Sequence, residues 1–134
     1  MKRYARLMEH ALAYRVWQAP FAERKLAPLF AHNDMRRVRR VLDVGCGPGT
    51  NTQHFAGAEY LDIDFNPAYI ESARRRHGRE FVVAGVTAYQ VPAGRRFDLI
   101  LANSLFHHIN TADTQRILMS FFYRTLGLSI RGSP

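Results

Sequence analysis

Apolar residues follow two rhythms along this chain. Through residue 34 the spacing is helical: Leu7, Ala11, Tyr14 and then Trp17 or Gln18 share one face. Pro20 breaks that run and can open a second, with Phe21, Leu26, Leu29 and Phe30 on its apolar side. Pro28 inside it predicts a kink or two shorter turns. From residue 38 the pattern changes to short β-rich runs separated by helix-length stretches. Strands are expected over 38–44, 59–64, 81–84 and 97–103, and helices over 48–56, 66–78 and 111–126. Val41, Leu42 and Val44, like the run Leu99-Ile100-Leu101, suit strands buried on both faces. Strand and helix in alternation predict an α/β fold on a parallel sheet. Asn66-Pro67 reads as a helix cap followed by a first-turn proline, and Arg74, Arg75 and Arg76 suit that helix's C-terminal end.

The first strand runs into Asp43-Val44-Gly45-Cys46-Gly47-Pro48-Gly49-Thr50. Three alternating glycines after an aspartate predict a tight turn whose bare backbone can lie against a ligand. Thr50 stands where a dinucleotide-binding G-x-G-x-x-G motif needs its last glycine, which argues against a nicotinamide enzyme. One crossover later the second strand ends Leu61-Asp62-Ile63-Asp64. A parallel neighbour brings Asp64 beside the glycine turn, where a carboxylate can accept hydrogen bonds from vicinal ribose hydroxyls. The alternative is a solvated strand-end carboxylate. Asp62 shares a strand face with Asp64 and is expected either to be solvated or to perturb it.

The motif D-x-G-x-G-x-G, with Asp64 and the run Phe97-Asp98-Leu99-Ile100-Leu101-Ala102-Asn103, resembles the class I S-adenosylmethionine-dependent methyltransferases. The resemblance implies a Rossmann-like parallel sheet of strand order 3-2-1-4 with N-terminal helices. The family's usual sheet continues 4-5-7-6; here only a stub at 128–130 stands for strand 5, so the expected domain is single, spans 1–134 and is truncated after strand 4. Residues 1–34 are its helical layer. The implied cofactor is S-adenosylmethionine, leaving as S-adenosylhomocysteine. Its expected contacts are Asp43, Gly45, Cys46, Gly47 and Gly49 at the turn, Asp64 and Phe65 after strand 2, the backbone of Gly85 and Val86, and Asn103 near the methyl donor. Gly85 stands where the family carries an acid for the adenine amino group, which implies weaker cofactor binding. The resemblance also suggests Tyr14 and Trp17 as a lid. Methyl transfer needs placement rather than a nucleophile, so no catalytic residue is assigned; His107 and Tyr14 are the candidates. His108 adjoins His107, but neighbours seldom point at one site.

Composition narrows the setting. With 19 Lys+Arg against 11 Asp+Glu the net charge is +8, which keeps a nucleic-acid partner in view, although the arginines are scattered. One cysteine excludes an internal disulfide and a cysteine-cluster metal site, and no metal is expected. No apolar run approaches the roughly 18 residues of a membrane span, and an apolar signal segment is lacking, so the cytoplasm is expected and a membrane partner is not. The expected activity is methyl transfer to a small-molecule acceptor. The alternatives are a non-catalytic S-adenosylmethionine-binding remnant or partner-dependent module, and a basic RNA-binding methyltransferase. A bare strand 4 edge would invite a homo-oligomer.

Overall fold

A computed structural model describes residues 23–102 and 112–126. Helix α1 covers 23–32, running through Pro28 without a break. Then come β1 (Arg40–Val44), β2 (Glu59–Asp64), α2 (Pro67–Arg76), β3 (Glu80–Val83), β4 (Leu99–Leu101) and α3 (Ala112–Thr125). The sheet has the order β3-β2-β1-β4, and every pairing is parallel. Short 3₁₀ turns lie at Met35–Arg37 and Thr52–Phe55. The helical positions before residue 23, including Tyr14 and Trp17, lie outside the described residues, as do Asn103, His107, His108 and the stub at 128–130.

The sheet divides the core by alternation. On one face Val41 and Tyr60 pack with Leu26 of α1, Phe55, Ala58 and Leu101. On the other, Leu42, Val44, Leu61 and Ile63 meet Phe97 and Phe121, the latter from α3. Leu42, Leu61 and Ile63 are wholly buried, each contributing about 1.5–3 kcal/mol of apolar burial. A third cluster, Cys46, Ile70, Ala73 and Phe81, joins α2 to the glycine turn.

The structure corrects one element. The helix expected over 48–56 is a series of turns that ends in the 3₁₀ segment Thr52–Phe55. Gly47 and Gly49 hold φ of 57° and 78°, and a right-handed helix cannot propagate through left-handed residues. At the opposite end of the sheet Asp98 acts as a structural cap: its Oδ2 accepts from the backbone N–H groups of Arg39 and Arg40 at 2.8 and 2.9 Å. α2 is capped by the Asn66 side chain, which accepts from the Ala68 N–H at 3.0 Å, with Pro67 in the first turn.

Candidate cofactor site

The parallel strands bring their C-terminal ends together, and the glycine turn leaves β1 at this rim. Gly45, Gly47 and Gly49 all hold positive φ, of 71°, 57° and 78°. The turn is fastened to β2: the Gly45 and Cys46 N–H groups donate to the Ile63 carbonyl at 2.8 and 3.3 Å. Gly49 is required twice over, by its φ and by space, since a Cβ there would lie 3.2 Å from Ala73 Cβ and 3.3 Å from Phe81. Arg76 donates from the end of α2 to the Pro48 carbonyl at 2.5 Å.

Asp64 stands beside this turn, as its spacing predicted. Its Oδ2 accepts from the Gly47 N–H at 2.9 Å and its Oδ1 from the Asn66 N–H at 2.8 Å. An ionised carboxylate has about four acceptor positions, so two remain for ligand hydroxyls. Asp64 is in register with Val83 of β3, so their side chains share one sheet face. Val83 is 44% exposed and the adjoining Phe65 is 77% exposed, although both are large and apolar. A carboxylate beside the uncovered Val83, with the exposed Phe65 next in the chain, fits a ligand with a hydroxylated sugar and a flat base. Gly85 keeps open space around its Cβ position, while its carbonyl accepts from the Ala88 and Tyr89 N–H groups at 3.0 and 2.9 Å. Val86 packs its side chain against the core, leaving its backbone at the loop.

Asp43 is built differently from the expectation of a ligand contact. It is fully buried, and its Oδ2 accepts from Tyr60 Oη at 2.7 Å and Asn51 Nδ2 at 2.9 Å. It therefore supports the turn from within the sheet. Asp62, expected to be solvated or to perturb Asp64, is fully buried and lies directly across from Asp43 in the register. Its Oδ2 accepts from Thr52 Oγ1 at 3.2 Å. Burial pushes the Asp62 carboxyl up to about 9, and the Asp43 charge adds to the rise. Burial likewise pushes Asp43 up to about 6, against the lowering effect of its bonds from Asn51 and Tyr60. Cys46 is buried, donates its thiol to the Gly47 carbonyl at 3.3 Å, and is held protonated by burial and the surrounding carboxylates. It is a packing residue of the turn.

Several arginines serve as internal caps. Arg79 donates to the carbonyls of Ala58 at 2.6 Å and Ala56 at 2.7 Å, and Arg74 to that of Phe81 at 2.5 Å. Part of the positive balance is thereby used inside the fold. Among the described residues no group of three His, Cys, Asp or Glu side chains could hold a metal, and no helix is long and apolar enough to cross a membrane.

A methyltransferase-domain family model matches residues 41–126. A trans-aconitate 2-methyltransferase of Paracidovorax citrulli is 37% identical over 81 residues, covering 57% of this chain and 31% of that protein. A malonyl-[acyl-carrier protein] O-methyltransferase of Legionella pneumophila is 34% identical, over 52% of this chain and 27% of that protein. The chain thus spans about a third of the length of the curated relatives it matches. Among solved structures, a TehB-like SAM-dependent methyltransferase from Corynebacterium glutamicum superposes with a TM-score of 0.60 at 25% identity, covering 89% of this chain and 68% of that one. The N-methyltransferase NodS of Bradyrhizobium japonicum, in complex with S-adenosylhomocysteine, gives 0.64 at 18% identity, covering 78% and 57%, a likeness of fold. With its 3-2-1-4 parallel sheet, its glycine turn and a family match over most of its length, this chain belongs to the Rossmann-like methyltransferase-domain family.

Proposed function

We propose that the chain binds S-adenosylmethionine at the rim of the sheet and carries the donor half of a methyl transfer to a small-molecule acceptor. The observation that carries this reading is the grouping of Asp64, bonded to the Gly47 N–H, with the exposed Phe65 and Val83. In this reading Asp64 accepts from the ribose hydroxyls, Phe65 and Val83 cover the base, and the backbone of Gly45 to Gly49 lies along the methionine part. When bound, the cofactor supplies an electrophilic methyl on a sulfonium. The residues of this chain orient it and shield its apolar portions, and the rate gain is one of placement. A small-molecule acceptor is supported by relatives named for trans-aconitate.

The test is incubation with S-adenosylmethionine labelled in its methyl group and a panel of small carboxylic acids, amines and phenols. Label transferred to one acceptor class supports the proposal. Cofactor binding without transfer to any acceptor would instead favour a binding module that needs a partner chain.

A further inference from the structure

One row across the sheet reads Phe81, Asp62, Asp43, Leu101 from β3 to β4, all in register. Two carboxyls therefore sit side by side between two apolar residues. Adjacent strands lie about 4.8 Å apart, and register partners in a parallel pair point to the same face. Neither aspartate has solvent access. Each uses Oδ2 for its protein partners: Asn51 and Tyr60 on Asp43, Thr52 on Asp62. In each, Oδ1 is buried with no hydrogen-bond partner. Two ionised carboxylates in this position would repel one another in a dry environment and leave both Oδ1 atoms unsatisfied.

We infer that Asp43 and Asp62 share one proton, held between their two Oδ1 atoms, so that the pair is a single buried monoanion beneath the glycine turn. One acid–carboxylate hydrogen bond then satisfies both Oδ1 atoms and removes the like-charge contact. The Oδ2 atoms remain free to hold Asn51 and Thr52, where the chain leaves the turn. The inference rests on the register and the orphaned atoms, and stands whether or not the rim binds a cofactor.

The groups that face the pair come from each neighbouring element. The Tyr60 hydroxyl faces it from β2 and the Cys46 thiol from the turn, both held neutral by burial. The Asp64 charge raises Asp43, while the Cys46 thiol, as a hydrogen-bond partner of Asp62, and the Arg79 charge both lower Asp62. From β3 and β4 the register neighbours Phe81 and Leu101 are apolar and offer no counter-charge. Both carboxyls are raised above the ordinary aspartate value of 3.8. The folded chain therefore holds more protons than the unfolded chain between about pH 4 and the upper step of the pair. The stabilisation is complete below that window and is lost as the pH rises through it.

Carbon-13 NMR of the full chain labelled at the aspartate side-chain carboxyls tests this without any ligand. Two carboxyl signals are expected to move in two linked steps, the second above pH 7. Asp62→Asn should abolish the upper step and return Asp43 to a single step at lower pH, since the new amide can donate to Asp43 Oδ1. Wild-type aspartates that all finish titrating below pH 5 overturn the inference, as does an upper step that survives in Asp62→Asn. Should that variant not fold, the urea midpoint of the wild-type chain decides: a fall between pH 6 and 9 supports the shared proton, and a flat profile overturns it. Binding of S-adenosylhomocysteine, measured separately, bears on the cofactor reading alone.

Discussion

Gly85 is the residue at which the resemblance implies a departure that one substitution can test. The family resemblance puts an acid here for the adenine amino group. Nothing lies within 4 Å of a Cβ built at Gly85, and it is not among the glycines with positive φ. A side chain can therefore be added without strain. Gly85→Asp is expected to fold like the wild type and to bind S-adenosylhomocysteine about fivefold more tightly, the effect of one added hydrogen bond of about 1 kcal/mol. Unchanged affinity in a folded variant would remove this loop from the adenine site. The placement of Asp64 beside the turn glycines was legible in the sequence because both stand at the C-terminal ends of strands, which a parallel crossover brings to one rim whatever the exact register. The pairing of Asp43 with Asp62 was not, because it depends on the register of two strands joined by a crossover, which spacing alone does not set.

At the scale of elements, arginine is a stapling residue. Thr52–Phe55 is a single 3₁₀ turn with poor internal bonding, and Ala56 to Ala58 lead from it into β2. Arg79 closes this segment with bonds to the Ala56 and Ala58 carbonyls and a longer one to Phe55 at 3.4 Å. Arg79→Ala is expected to cost about 1.5–3 kcal/mol, the range for hydrogen bonds to charged groups, read as a lower urea midpoint. An unchanged midpoint would mean that water replaces the guanidinium at no loss. Sequence patterning found β1 to β4, α2 and α3 to within a few residues, since each carries a clear apolar period. It overran at 48–56 because apolar and polar positions there fit a helix while the backbone of Gly47 and Gly49 does not. The same pattern could not tell structural arginines from exposed ones: Arg74, Arg75 and Arg76 read alike as cations at the end of α2, yet Arg74 and Arg76 are tied to carbonyls of other segments.

For the whole molecule, the order β3-β2-β1-β4 puts β1 and β2 at the centre, so the glycine turn and Asp64 rise from the two best-supported strands. Among the described residues β4 is paired on one side only, by β1. A parallel sheet carrying a backbone cradle at its C-terminal rim suits the proposed methyl transfer, in which the protein mainly positions two reactants. The most direct test of that account is calorimetric titration of S-adenosylhomocysteine into the folded chain and into Asp64→Ala. Saturable binding to the wild type is expected, weakened at least about tenfold in the variant, in line with the loss of charged hydrogen bonds. A folded wild-type chain that binds nothing, or an Asp64→Ala variant that binds as well as the wild type, would contradict it.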